Sequence, residues 1–512
     1  MREYAIIERG YTMTHLGILG FGIVGKSALR YITTQGASLA LSPLFFGEES
    51  FTVSVADKRT LTEEEQALCA GHSAQIIDLS ITSLDTFFAS CDFVIVSPGI
   101  DVSSQKELHQ KKIINELDLF AMFFTKPVIA ITGTLGKTTT TQLMSELLRL
   151  DSCESQNKNN VEQKLQAFCS HAVGCTRQRH ITGGNIGYGM LDALLHQENI
   201  DIALLELSSF QLEDNKKFAP KIGLLTNLYA NHLDRHKTIK AYFEAKWNLF
   251  IHQTPTDYAL IGIEVIQDFA QELERHLPAL KSQLYFISQQ PLTVAQKMFI
   301  ARHKAAAYFV QHDQLFLFKN EEIIKVVTLP VAIFELGFLS NWIFAFATMA
   351  LLHKELAWLD VPLVKQAYQN LTHAIGEHRL ELCATIQDVN FYNDSKATVI
   401  EATQAAIKKC LQQNRPLILV LGGISKGVDR SPLIDFIKAQ QGIKKVISFG
   451  AGAQDLEGIE NYQTLELAMD AIFLCMKSGD QVLFSPSGAS FDLFNNYQHR
   501  GRVFKELVAK YI

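Results

Sequence analysis

Residues 126–150 read KPVIAITGTLGKTTTTQLMSELLRL: an apolar run, a short glycine loop and an amphipathic stretch. A buried strand that turns through glycines into a helix is one step of a parallel sheet with crossover helices, so this stretch sets the expected class as α/β. The loop also carries chemistry. Glycines let backbone N–H groups approach phosphate oxygens, and the helix N-terminus adds favourable partial charge. In that frame Lys137 neutralises the β- and γ-phosphates, and the Thr138 hydroxyl suits Mg²⁺. Two residues separate Gly133 from Gly136, fewer than the four of the common phosphate loop, so Gly133, Thr134, Gly136, Lys137, Thr138 and Thr139 form a compact version of it.

The same strand-then-glycine pattern recurs on both sides. LGILGFGIVG (16–25) runs into Gly20, Gly22 and Gly25, and FTVSVADKR (51–59) carries Asp57 at its end. That spacing suits a dinucleotide or any other pyrophosphate ligand, and by itself leaves the two open. CDFVIVSPGI (91–100) is a further strand. Beyond the phosphate loop, DIALLELSSFQLE (201–213) and KIGLLTNL (221–228) read as buried strands. HRLELCATIQDVNFYNDSKAT (378–398), PLILVLGGISKG (416–427), KKVISFG (444–450) and DQVLFSPSGAS (480–490) open a third α/β unit. The expected organisation is three domains, 1–115, 116–376 and 377–512: Rossmann-like, P-loop ATPase-like and Rossmann-like. Residues 151–180 are polar and poorly patterned, an exposed excursion with one short helix at 161–169.

Composition narrows the function. Of 512 residues 47% are hydrophobic and 20% charged, enough apolar material for several cores, and the net charge of −6 argues against a nucleic-acid partner. The eight cysteines show no metal or redox spacing and read as reduced thiols. The early acids of MREYAIIERGYTMTHLG argue against a secretory leader. VAIFELGFLSNWIFAFATMALL (331–352) is long enough to span a bilayer, but Glu335, Gly337, Ser340 and Asn341 interrupt it, and a buried helix is expected with no integral membrane segment.

Several polar residues stand at strand ends, the edge where α/β folds bind ligands. Glu206 ends an apolar strand and is placed like a metal-holding acid. His232 lies in NHLDRH, and Lys246 in YFEAKWNLF, a helix on which a solvated lysine is the default. Asp394, Lys396 and Thr398 in NDSKAT, with Lys426 in LGGISKG, bring charge suited to an anionic substrate.

Taken in order, ITGTLGKTTT, GGNIG, LELSSFQLE, NHLDRH, EAKWNLF, HRLE, NDSKAT, LGGISKG and SPSGASFDLFNNYQHRGRVF resemble the Mur ligase family of peptidoglycan synthesis, nearest its D-glutamate-adding branch. The resemblance runs from about residue 16 to 508, outside 151–180 and parts of 255–330. It implies a first domain that binds the UDP of the acceptor, which answers the dinucleotide question against NAD, a second that binds ATP, and a third that brings the amino acid. It implies a cytoplasmic, monomeric enzyme in which ATP phosphorylates the carboxylate of UDP-N-acetylmuramoyl-L-alanine and the amine of D-glutamate displaces the phosphate. By resemblance Gly22, Asp57, Lys58, Arg59 and Gly99 meet the UDP part, and Asn185 the muramoyl-alanine part. Thr398, Lys426, Ser490, Phe491 and Tyr497 form the D-glutamate pocket, while Asn341, Arg379, Asp394 and Lys396 belong with ATP. Two Mg²⁺ sites are implied: Thr138 and Glu206 for one, His232 and a carbamylated Lys246 for the other. The departures are Leu135 for a polar Asn, Asn231 for an Asp, Val24 for a hydroxyl residue, Phe344 for the second Asn of the adenine motif and Tyr497 for a Phe.

Overall fold

The computed structural model describes residues 14–35, 51–154, 180–331, 333–334, 339–352, 367, 370 and 377–511. Most of the excursion expected at 151–180, with its helix at 161–169, lies outside the described residues, as do residues 1–13, Glu335 and Gly337. The described residues fall into two compact units, one within Met1–Asn227 and Glu244–Tyr368, the other within Leu228–Phe243 and Gln369–Ile512. The stretch 228–243, which carries His232, thus belongs with the C-terminal unit.

The first unit holds two sheets. In the first, β1 (Thr14–Leu19), β2 (Phe51–Asp57), β3 (Gln75–Asp78), β4 (Phe93–Val96) and β5 (Ile113–Ile114) run parallel in the order β3-β2-β1-β4-β5. The second comprises β6 (Val128–Thr132), β7 (His180–Gly184), β8 (Ile202–Glu206), β9 (Ile222–Leu225), β10 (Tyr258–Gly262), β11 (Gln283–Ser288), β12 (Ala306–Gln311), β13 (Gln314–Lys319) and β14 (Glu322–Thr328). Their order is β14-β13-β12-β11-β10-β9-β6-β8-β7, with only β13 running against the rest, antiparallel to both β12 and β14. VIAIT, IALLE and IGLL are buried at every position, as strands covered on both faces require.

The span from β10 to β14 supplies five strands that the sequence reading does not assign. Their signal is present but local: aromatic and β-branched runs broken by His312-Asp313 and Asn320-Glu321. His312, Asn320 and Glu321 all take positive φ, 57°, 51° and 65°, as tight hairpin turns demand. Of the apolar run 331–352, Leu339–Leu351 is helical, and Asn341 through Met349 are buried against the helix Lys137–Glu154 and strands β11 and β12. Among the described residues no helix is long and apolar enough to cross a membrane.

The second unit carries β15 (Glu381–Ile386), β16 (Val389–Asn393), β17 (Leu417–Gly422), β18 (Ile443–Phe449), β19 (Glu460–Tyr462) and β20 (Gln481–Phe484). They form one sheet in the order β15-β16-β20-β17-β18-β19, with only β15 antiparallel.

Three helices join the two sheets of the first unit: α1 (Ile23–Gln35), α2 (Glu116–Phe123) and α3 (Met190–Leu194). The acids of α2 are spent on backbone donors of the second sheet's connections. Glu116 Oε1 accepts from Met190 N at 3.1 Å, and Asp118 Oδ1 accepts from Lys216 N and Lys217 N at 3.0 and 3.1 Å. Glu116 is fully buried with Oε2 unpartnered, and burial pushes its carboxyl up to about 7. A carboxyl whose folded pKa is raised binds its proton more tightly in the fold than in the unfolded chain. Its contribution is therefore most favourable at low pH and is lost as pH rises through about 7. Glu116→Gln removes that titration. Its stability relative to the parent, from chemical denaturation, should rise by up to about 3 kcal/mol between pH 5 and pH 8, at ~1.4 kcal/mol per pH unit; an unchanged difference would show an ordinary carboxyl.

Candidate active site

The phosphate loop leaves β6 at Gly133 and enters the helix at Lys137. Its backbone forbids side chains at both glycines. Gly133 has φ 141°, with the Thr226 hydroxyl 2.0 Å from where a Cβ would stand, and Gly136 has φ 82°, with Asn341 Nδ2 at 2.6 Å. The loop is braced from the end of β9. Leu135 N donates to Asn227 Oδ1 at 2.8 Å, Asn227 Nδ2 donates to Leu135 O at 3.1 Å, and Thr226 Oγ1 donates to Leu135 O at 2.7 Å. Sequence reasoning missed Thr226 and Asn227; polar residues ending the apolar run KIGLLTNL were the available signal. Asn341, expected to meet ATP, donates to Gly136 O at 3.2 Å and to Thr140 Oγ1 at 2.8 Å, and so holds the loop. Phe344 is fully buried in the core.

Two lysines meet on one carbonyl. Lys137 Nζ donates to Gly133 O at 2.8 Å and to Thr134 O at 3.1 Å. Lys246 Nζ donates to the same Gly133 O at 3.0 Å and to Thr132 Oγ1 at 3.3 Å. The default of a solvated lysine fails at Lys246, which is 1% exposed. Burial drives its ammonium well below the usual range, the charge of Lys137 lowers it further, and Glu206 partly offsets both.

Glu206, at the end of β8, is 2% exposed. Its Oε1 takes the Asn185 amide at 3.0 Å, and Asn185 N donates to Glu206 O at 2.8 Å. Its Oε2 is buried without a hydrogen-bond partner. A carboxylate oxygen so placed is costly unless a cation or donor meets it. With the half-buried Thr138 on the adjoining helix, the donor set fits a hard divalent cation. Among the described residues no three His, Cys, Asp or Glu side chains converge on one point.

In the first sheet, both oxygens of Asp57 face backbone: Oδ2 accepts from Phe21 N at 2.8 Å, in the glycine loop, and Oδ1 from Arg59 N at 3.1 Å. Arg59 pairs with Glu65 at 2.6 and 2.8 Å, and Lys26 with the same acid at 2.8 Å. Gly22, Lys58 and Gly99 lie at the rim, with open space where a Cβ would stand on either glycine.

The second unit brings its own set together. Asp394, following β16, accepts from Ser485 Oγ at 2.7 Å and Leu380 N at 3.1 Å, and burial raises its carboxyl to about 7. Lys396 Nζ stands 3.8 Å from the centroid of the Tyr497 ring, a cation–π contact. Arg500, quoted in a motif but given no role by sequence, is fully buried. It donates to Ser395 O at 2.7 Å, Ser395 Oγ at 3.0 Å and Gly488 O at 2.9 Å, and burial lowers its guanidinium to about 9. Ser490 is buried and Phe491 exposed. Lys426 takes φ 57° and its carbonyl accepts from Asp234 N at 3.1 Å, so the loop bearing His232 docks on the Lys426 loop. His232 is itself left-handed at φ 56°, its N–H donating to Asn231 Oδ1 at 2.9 Å.

Phosphate loop, buried lysine and orphan carboxylate together define a nucleotide-dependent ligase site, and the comparisons specify which. The profile of the Mur ligase middle domain matches residues 131–347. The chain is 30% identical over 514 residues to the UDP-N-acetylmuramoylalanine--D-glutamate ligase of Fusobacterium nucleatum subsp. nucleatum, covering 96% of this chain and 98% of the relative. The chain belongs to the Mur ligase family. Its fold is shared with the pseudomurein peptide ligase type C from Methanothermus fervidus, TM-score 0.52 at 14% identity over 98% of this chain and 100% of that one. It is shared also with the MurF ligase from Thermotoga maritima in complex with ADP, TM-score 0.50 at 14% identity over 90% and 96%.

Asn227→Ala removes two of the three side-chain braces of Leu135, leaving the one from Thr226. Stability should fall by about 1–3 kcal/mol, and ADP affinity should weaken by about tenfold as the loop loses its shape. Thermal unfolding and calorimetric titration with ADP check both; unaltered ADP affinity would show that the loop keeps its form without Asn227.

Proposed function

We infer that this chain is an ATP-dependent ligase that adds D-glutamate to UDP-N-acetylmuramoyl-L-alanine in peptidoglycan precursor synthesis. The observation that carries the reading is the full-length likeness to a ligase of that name, joined to a braced phosphate loop beside a buried lysine and carboxylate. The domain limits 1–115, 116–376 and 377–512, for UDP-substrate, ATP and amino acid, belong to this reading, as does a cytoplasmic monomer.

A carboxylate resists attack by an amine because its leaving group is oxide. In the proposed reaction a carboxylate oxygen of UDP-N-acetylmuramoyl-L-alanine bonds to the γ-phosphorus of ATP as the bond to ADP breaks. The amine of D-glutamate then bonds to the acyl carbon, phosphate leaves, and the amine gives up its proton. The amides of Gly133 to Thr139 and the ammonium of Lys137 hold the β- and γ-phosphates, with Asn341, Arg379, Asp394 and Lys396 on the rest of the nucleotide. Gly22, Asp57, Lys58, Arg59 and Gly99 hold the UDP part and Asn185 the muramoyl-alanine part. Thr398, Lys426, Ser490, Phe491 and Tyr497 receive D-glutamate, with Lys426 against a carboxylate.

Mg²⁺ on Thr138 and Glu206, with a second ion on His232 and carbamylated Lys246, supplies neutralisation of the transferring phosphoryl charge. The Lys246 amine suits carbamylation because burial disfavours its charged form. The lone pair of the neutral amine bonds to the carbon of CO₂ and one N–H proton leaves, turning a buried neutral group into an anion.

With ATP and UDP-N-acetylmuramoyl-L-alanine, phosphate release should depend on D-glutamate; release supported only by L-alanine, a diamino acid or D-alanyl-D-alanine would assign the chain to another substrate. Lys137→Ala should lower turnover by about 10³-fold or more while the UDP-substrate still binds. Lys246→Ala should be nearly inactive and partly restored by acetate or formate; normal activity in that variant would refute the carbamate.

A further inference from the structure

We infer that Arg30 and Asp192 are positioning residues, fastening the helix behind the UDP loop to the turn that presents Asn185 to Glu206. The inference rests on the ligase reading for what occupies each loop. Helix α1 starts directly after the glycines of the first loop. One turn in, Ser27 and Arg30 share a face at i and i+3. Arg30 grips Asp192 bidentately, Nε to Oδ1 at 2.9 Å and Nη2 to Oδ2 at 2.7 Å, and Asp192 N donates to Ser27 Oγ at 2.9 Å. Gly189, just before α3, lies so close to α1 that an added Cβ would stand 2.2 Å from Ser27 Cβ.

The turn behind Asp192 is short and stiff. Gly184 N donates to Tyr188 O at 3.2 Å and Tyr188 N to Thr182 O at 3.4 Å, closing it on itself. Within it Asn185 meets Glu206 twice, side chain to Oε1 at 3.0 Å and backbone N–H to O at 2.8 Å. From the other side Glu116 holds Met190 N. A displacement of α1 thus has a hydrogen-bonded path to the one engaged oxygen of the metal carboxylate. The side chains of Arg30 and Asp192 are 37% and 13% exposed, and a pair of that kind contributes little to folding stability. Its loss should register in ligand coupling instead.

The test titrates the full chain calorimetrically with Mg²⁺ and a non-hydrolysable ATP analogue, with and without saturating UDP-N-acetylmuramoyl-L-alanine. The parent should bind the analogue about fivefold or more tighter when the UDP-substrate is present. In Arg30→Ala and in the isosteric Asp192→Asn, which keeps the backbone donor to Ser27, the enhancement should shrink below about twofold. Each ligand alone should bind within about twofold of its parent affinity, and Arg30→Lys, which keeps the charge, should retain most of the coupling. Asp192→Asn carries the test if Arg30→Ala does not fold. Full enhancement in the variants, or none in a parent that binds both ligands, overturns the inference alone. A parent that does not bind the UDP-substrate overturns the ligase reading, and the coupling with it.

Discussion

One carbonyl oxygen organises the catalytic half of the first unit. Gly133 O accepts from Lys137 and from Lys246 at 2.8 and 3.0 Å. Burial strips water from Lys246 and the charge of Lys137 adds to the effect, so the ammonium of the buried member is driven well below its usual range. Lys137 then remains the loop's cation. Lys246 lies beside a carboxylate with an unpartnered oxygen, and Thr226 and Asn227 brace Leu135, two residues on in the loop that carries the shared carbonyl.

The second unit solves a different problem, presenting charge at a sheet edge without burying it unpaired. Arg500 is sunk under the edge and donates to three acceptors on the Ser395 and Gly488 loops. Those loops carry Lys396 and lead to Ser490. Lys396 is steadied against Tyr497, the residue that stands for a Phe. A ring with a hydroxyl keeps the face such a contact needs, so that departure is mild.

Much of the site was legible because phosphate chemistry imposes local grammar: strand, glycines, lysine and threonines must be consecutive, so ITGTLGKTTT announces itself. Strand ends 206, 394 and 426 were found for the same reason, since the ligand edge is where polar residues interrupt apolar runs. The braces were not legible. Nothing in the sequence pairs Asn227 with Leu135, Arg30 with Asp192 or Arg500 with Ser395, contacts spanning 92, 162 and 105 residues. The hairpins of β12 to β14 were missed for a local reason, because their turns place His312, Asn320 and Glu321 at positive φ where Gly would have been the clear signal.

The sequence by itself determined the α/β class, the compact phosphate loop and the ligase family. Periodicity and motif spacing are properties of neighbours along the chain. Tertiary structure alone decided the burial of Lys246, which disfavours its charged form. On a helix alone a lysine reads as solvated by default; packing against the end of β6 and Gly133 takes its ammonium out of water. A pKa depends on what surrounds a group in space, and 113 residues of chain separate this amine from the carbonyl that receives it.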